Sequence, residues 1–135
     1  MVCIYCSGST QVTNSRPQKR TQGVWRRRQC NQCGATYTTL ELPDLAASLR
    51  VEDQSTKKLV PFSRPRLFAS IYECLKHVAE PAQTADELTN TVIQALLNTK
   101  SAVLNPIIIS QNTQVILSRF NKLAGDQYAA YHKKP

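Results

Sequence analysis

Cys3-Ile4-Tyr5-Cys6 and Cys30-Asn31-Gln32-Cys33-Gly34 decide the fold of this chain. They form two Cys-x-x-Cys pairs separated by Ser7 to Gln29, and together they supply four thiolates. That ligand set is the tetrahedral shell of a structural zinc ion, Cys3, Cys6, Cys30 and Cys33 holding one zinc per chain. The two-residue spacing lets both sulfurs of a pair turn towards one metal. The long middle span runs out and back as a hairpin. Gly34 follows the second pair, where a tight knuckle calls for a positive φ. Four protein ligands close the shell, so the metal has no open position for water or substrate.

The competing reading of the cysteines is a pair of disulfides, which belongs to an oxidising compartment. No secretory leader is read ahead of Cys3, so reduced thiols and a cytoplasmic location are expected. Thioredoxin-like chemistry needs a single Cys-x-x-Cys on a βαβ unit, and neither pair lies in such a pattern. No nucleophile–base pair or pair of acids stands out either, so the chain does not read as an enzyme. No apolar run of ~18 residues offers a membrane span.

The chain has 135 residues and a net charge of +8. Residues 1–42 carry six Lys/Arg against one acid, Glu41, for +5; the remainder carries eleven against eight, for +3. The six are Arg16, Lys19, Arg20, Arg26, Arg27 and Arg28. Cations this dense on a rigid scaffold point to a polyanion, above all nucleic acid. Arginine suits phosphate through its planar fork and reads guanine edges in the major groove. The sequence does not divide these six residues between the two tasks.

Three runs within the first 42 residues read as strands: Gln11–Ser15, Gly23–Arg28 and Ala35–Leu40, with a loop at Pro17–Gln22. Trp25 and Tyr37 are the large side chains available for a miniature core, although either could stack on a base. Residues 43–48 read as a linker opened by Pro43. Residues 49–132 read as a second unit, a β-hairpin (Leu49–Glu52, turn at 53–56, Lys57–Phe62) laid on a small helical bundle. Residues 133–135 are a solvated tail.

In the second unit Ser63 caps a helix with Pro65 in its first turn, burying Leu67, Ile71, Cys74, Leu75 and Val78 until Pro81 ends it. Cys74 reads as a core thiol. Thr84-Ala85-Asp86-Glu87 has the form of a capping box, opening a helix that buries Leu88, Val92, Ile93, Leu96 and Leu97. Ser110 is expected to cap a third helix after the apolar lead-in Pro106–Ile109, with Val115, Ile116, Phe120 and Leu123 inward. Gly125 marks a break before a last short helix at Tyr128–His132. His77 and His132 have no ligand partners at useful spacing. The fold class is α+β.

These residues carry a family resemblance. Cys3 and Cys6, Asn14-Ser15-Arg16, Gly23-Val24-Trp25-Arg26-Arg27-Arg28, Cys30, Cys33-Gly34, Tyr37-Thr38-Thr39 and Glu41 resemble, in order and spacing, the rubredoxin-like zinc ribbon of the NrdR family. That family comprises bacterial transcriptional repressors of ribonucleotide reductase genes. The later text is similar to its ATP-cone: Pro61-Phe62-Ser63-Arg64, Arg66-Leu67, Phe120-Asn121-Lys122, Ala124 and Tyr128-Ala129. Asn14 stands for the family's Asp, Arg66 for its Lys and Gln127 for its Arg. Leu49-Arg50-Val51-Glu52-Asp53 lacks the family's Lys-Arg pair and glycine.

The resemblance implies a repressor that binds operator DNA through Arg16, Lys19, Arg20, Arg26, Arg27 and Arg28. It implies a homo-oligomer governed by ATP or dATP, with Arg50, Val51, Lys57, Phe62, Arg64, Arg66 and Tyr128 as the nucleotide-binding candidates. On spacing alone, without the resemblance, cations near the hairpin are an ordinary charged surface. The alternative function is a zinc-ribbon interaction module for RNA or a protein, with the helical unit as scaffold.

Overall fold

A computed structural model describes residues 1–132; the tail expected at 133–135 lies outside the described residues. The chain divides into two compact units, Met1–Pro43 and Asp44–Pro135. β-Prone residues in the first unit form an antiparallel sheet of β1 (Thr10–Gln18), β2 (Gly23–Cys30) and β3 (Thr36–Glu41), in that spatial order. β1 extends beyond the expected strand, through Pro17. An edge strand tolerates a residue without an N–H, and β1 is an edge. A register shift between Val12 and Asn14 marks a bulge in β1.

The buried core of this unit is Cys3, Cys30 and Tyr37. The Tyr37 hydroxyl donates to the Val2 carbonyl at 3.0 Å, and Tyr5 meets its ring edge-on with centroids 6.3 Å apart. Trp25, expected beside Tyr37, is only half-buried. The period of two explains this. Cys30 and Arg28 lie on one face of β2 and Tyr37 pairs with Arg28, whereas Trp25 falls on the opposite face, paired with Arg16 and Leu40.

The second unit opens with α1 (Leu45–Ser48), where a linker was expected. The Asp44 carboxylate accepts from the Ala47 N–H at 3.0 Å and so caps this single turn. The expected hairpin is present as β4 (Arg50–Glu52) and β5 (Leu59–Pro61), joined by a turn in which Asp53 Oδ1 accepts from the Ser55 hydroxyl and the Ser55 and Thr56 N–H groups. Those donors, the Ser55 hydroxyl first, hold the Asp53 carboxyl down at about 2.

α2 (Arg64–Glu73) begins as expected, with the Ser63 hydroxyl accepting from the Arg66 N–H at 3.3 Å and Pro65 in the first turn. It stops well before Pro81, because Cys74, Leu75 and Val78 turn back on carbonyls three residues earlier. Pro81 instead opens α3 (Pro81–Leu97), where its missing N–H and fixed φ suit the first helical turn. Thr84 and Glu87 therefore lie inside the helix rather than forming a capping box, and Glu80 makes no side-chain cap bond.

β6 (Val103–Leu104) joins the sheet parallel to β4, giving the order β5-β4-β6. α4 (Pro106–Phe120) starts earlier than the sequence suggests. Asn105, not Ser110, is its cap, accepting from the Ile107 N–H at 2.8 Å, and the Ser110 hydroxyl donates to the Ile107 carbonyl. The inward face also differs. Thr113 and Leu117 are buried, with Ile109 and Ile116 against the core, while Val115, Phe120 and Leu123 are exposed. Burying Thr113 is inexpensive because its hydroxyl donates to the Ile109 carbonyl at 2.7 Å. Thr89 does the same to the Ala85 carbonyl at 2.6 Å.

Asn121 ends α4 and begins α5 (Lys122–Tyr131): its N–H donates to the Leu117 carbonyl and its side chain accepts from the Ala124 N–H. Gly125 is thus inside a helix, not at a break. A Cβ there would stand 2.7 Å from Ser118 Cα, so glycine allows α4 and α5 to close together. The core they complete includes Ile71, Leu75, Val92, Leu96 and Leu117, all fully buried, with Cys74 among them. Each such aliphatic side chain contributes about 1.5–3 kcal/mol relative to exposure. Among the described residues no helix is long and apolar enough to cross a membrane.

Gly125→Ala should destabilise this unit by about 1–3 kcal/mol, since backbone rather than a flexible side-chain tip stands in the way. Helix propensity returns up to about 1 kcal/mol, which is not enough to reverse the sign. A lower thermal midpoint in circular dichroism is the expected result, and an unchanged or higher one counts against tight packing of α4 on α5.

Candidate metal centre and nucleic-acid interface

Two knuckles of the same construction present the cysteines. In the first, the Ser7 N–H donates to the Cys3 carbonyl at 3.0 Å; in the second, the Gly34 N–H donates to the Cys30 carbonyl at 3.2 Å. The residue after each pair closes its knuckle in the left-handed region, Ser7 at φ 60° and Gly34 at φ 73°. The glycine was legible from the sequence. Ser7 was not, because serine carries no comparable signal for positive φ. Asn31 ties the knuckles together through bonds to the Ser9 carbonyl and hydroxyl at 3.0 and 3.1 Å.

The four Sγ atoms all lie within 4.8 Å of one another, with Cys6–Cys30 at 3.5 Å and Cys3–Cys33 at 3.8 Å. Bonds of about 2.3 Å from a tetrahedral zinc put neighbouring sulfurs about 3.8 Å apart. The spacing therefore fits a metal bound by four thiolates. Backbone N–H groups prepare the sulfurs: Tyr5 donates to Cys3, and Gln32 and Cys33 donate to Cys30, each at 3.4 Å. The Cys33 and Gln32 N–H groups pull the Cys30 thiol down to about 6. At Cys6 the Gly8 N–H also favours the thiolate, but the crowded thiols of Cys30 and Cys33 outweigh it and push Cys6 up to about 12. A metal cation is what allows four such groups to be thiolates together.

The sheet sorts the basic residues onto its two faces. In an antiparallel pair, directly opposed residues share a face. Arg16 opposes Trp25, and Arg27 lies two residues along β2 from Trp25, so these three share one face. Arg26 and Arg28 are on the other. Arg26 Nε and Nη2 donate to Glu41 Oε2 at 3.3 and 3.2 Å, and its Nη1 to the Ser15 hydroxyl at 3.3 Å. Arg28 donates to the Thr39 and Thr10 hydroxyls at 3.3 and 3.4 Å. Lys19 and Arg20 lie in the turn between β1 and β2.

The nucleotide candidates are placed less uniformly. Phe62 and Tyr128 are buried core side chains, and Val51 packs on that core. Arg64 donates to Asp86 and Asn90 at 2.6 and 2.9 Å, and Arg50 to the Ala46 carbonyl at 2.9 Å. Lys57 closes the hairpin turn at φ 58° and pairs with Glu52 at 3.8 Å. Arg66 is exposed. A shallow depression of about 380 Å³ on α4 is lined by Gln111, Gln114, Val115, Ser118 and Arg119, and by none of these candidates.

A four-cysteine ribbon, its sulfurs clustered as a metal site requires, followed by an α+β unit defines the class of this protein. A family profile described as "Transcriptional repressor NrdR-like, N-terminal domain" matches residues 1–41. Proteins named "Transcriptional repressor NrdR" align over nearly the whole chain. The one from Rhodospirillum centenum is 29% identical, covering 98% of this chain and 86% of its own length. That of Symbiobacterium thermophilum is 22% identical, covering 99% and 88%. That of Methylobacterium sp. (strain 4-46) is 31% identical, covering 98% and 71%. The chain belongs to the NrdR family, and the resemblance read from its cysteine and arginine text holds.

Cys30→Ser removes the sulfur with the most N–H donors and should abolish stoichiometric metal binding. Metal content after purification and dialysis checks this. Because the ligands bind as thiolates, metal is held at neutral pH and released as pH falls and protons compete for sulfur. Metal retained in full by Cys30→Ser would show that the ion is held elsewhere.

Proposed function

We propose that this chain is a zinc-dependent transcriptional repressor that binds duplex DNA upstream of ribonucleotide reductase genes. Its second unit would assemble copies in response to ATP or dATP. The observation that carries the proposal is a basic sheet clamped by a closed four-sulfur shell. Zinc suits four thiolates in tetrahedral geometry, has no redox chemistry of its own, and keeps no position open for substrate. Its role would be to hold the ribbon, and the ribbon's role to present arginines. The DNA-contacting residues would be drawn from Arg16, Arg26, Arg27 and Arg28, with Lys19 and Arg20, and the proposed zinc ligands are Cys3, Cys6, Cys30 and Cys33.

The relatives carry the word repressor in their names, which supports action on DNA by this chain. The proposed nucleotide site is supported by the resemblance of Pro61–Leu67 and by Arg66, which forms no ion pair among the described residues. Coupling would follow from differential affinity. A nucleotide that favours an assembly able to present several ribbons at the operator spacing raises occupancy, and one that favours another assembly lowers it.

The test is a titration of zinc-loaded protein against a duplex from upstream of the ribonucleotide reductase genes of the same genome. A scrambled duplex serves as control, at near-physiological salt, with and without ATP or dATP. Tighter binding to the upstream duplex, altered by nucleotide, is expected. Preference without a nucleotide effect would keep the repressor and reduce the second unit to a scaffold. Equal, salt-labile binding to both duplexes would remove the proposed target and favour a ribbon that docks on RNA or protein.

A further inference from the structure

Resting on the duplex-DNA reading above, we infer that the ribbon meets DNA through one face of its sheet, built by Arg16, Trp25 and Arg27. Arg26 and Arg28 brace the sheet from the opposite face and do not contact phosphate. The four arginines, indistinguishable in sequence, are thereby divided in two.

The register makes the division. Trp25 is opposed by Arg16 on β1 and Leu40 on β3, and Arg27 by Asn14 and Thr38. All of these share a face, because opposed residues point the same way and residues two apart along a strand do as well. Arg26 is opposed by Ser15 and Thr39, and Arg28 by Val12 and Tyr37, on the other face.

The charges differ accordingly. Glu41 is the single acid of residues 1–43, it pairs with Val24, and it therefore lies on the Arg26 face. Its carboxylate takes two N–H donors of Arg26. An exposed ion pair of this kind is weak, so the pair does not by itself keep Arg26 from a phosphate. The obstacle is Glu41's own negative charge, which any phosphate drawn to Arg26 must also approach. The ribbon itself has no carboxylate on the Trp25 face. Arg16 and Arg27 are exposed and make no side-chain hydrogen bond or ion pair among the described residues. This is the complement of a phosphate backbone: two open forks beside an apolar ring, on a ribbon face that carries no carboxylate of its own.

The Arg28 fork is engaged differently. Its two bonds go to hydroxyls on strands β3 and β1, across both ladders, with Tyr37 directly opposite. It spans the sheet at the end nearest the metal, a bracing position.

The experiment uses the full zinc-loaded chain, a fluorescent duplex from upstream of the ribonucleotide reductase genes, a scrambled duplex, and a series of salt concentrations. Arg16→Ala and Arg27→Ala should each weaken binding and reduce the slope of log affinity against log salt by about one, the signature of a lost phosphate contact. Arg26→Ala and Arg28→Ala should leave that slope at its unaltered value, whatever they do to thermal stability. Zinc content and circular dichroism are checked for every variant. Trp25 is the only tryptophan in the chain, so its emission reports this face directly and should change on duplex addition. Slopes that fall as much for Arg26→Ala and Arg28→Ala as for the other two, or Trp25 emission indifferent to bound duplex, would overturn the assignment. Equal affinity of the unaltered chain for both duplexes would instead undo the repressor reading, and the four slopes would still decide which face carries the contacts. No binding to either duplex would overturn both.

Discussion

Four sulfur atoms within 4.8 Å of one another are the constraint on which the ribbon depends. Without a metal they are a liability, since several thiolates cannot be crowded together uncompensated. With one they replace a hydrophobic core that this unit does not possess. Its buried core side chains are Cys3, Cys30 and Tyr37, too few to offset the ordering of some forty residues at about 1–2 kcal/mol each for backbone alone. Metal binding in small ribbons is folding free energy, on the order of 10 kcal/mol, and the N–H···S bonds around Cys3 and Cys30 show the backbone shaped to receive it. The sheet beyond the knuckles is then free to carry charge on both faces.

The second unit is held by the opposite means. Its core is aliphatic and continuous from Leu49 and Phe62 through α2, α3 and α4 to Tyr128. Its polar exceptions, Thr89 and Thr113, are each satisfied by the carbonyl one helical turn back. Side chains of Asp44, Ser63, Asn105 and Asn121 cap four of the five helices among the described residues. The same economy absorbs most of the residues that the family resemblance suggested for nucleotide. Phe62 and Tyr128 fill the core, and Arg64 and Arg50 have internal acceptors.

Much of this was legible in the chain. The cysteine spacing picked out the four sulfurs that cluster, β-prone residue types located the three ribbon strands, and Ser63 with Pro65 located the start of α2. The failures share a cause. Pro81 and Pro106 looked like a terminator and a lead-in, because proline suits both the end of one element and the first turn of the next. Thr84–Glu87 and Ser110 had the residues of a cap without its position. Thr113 broke the apolar period of α4, so the buried face was assigned to Val115, Phe120 and Leu123, which are exposed. Gly125 suggested a break where it serves a close helix contact.

What the sequence by itself determined is whatever depends on local chemistry: the sulfur ligands, the excess of positive charge in the ribbon, the α+β class and the family. What only the tertiary structure decided depends on partners distant along the chain. The two-residue strand β6 has no periodicity to betray it and exists because β4 offers it an edge. The face on which each arginine lies follows from register, and a register shift of one residue would exchange the faces. Arg26, Arg27 and Arg28 are one run of identical letters; pairing with β1 and β3 gives one of them an open surface and sets the other two against Glu41 and the threonines.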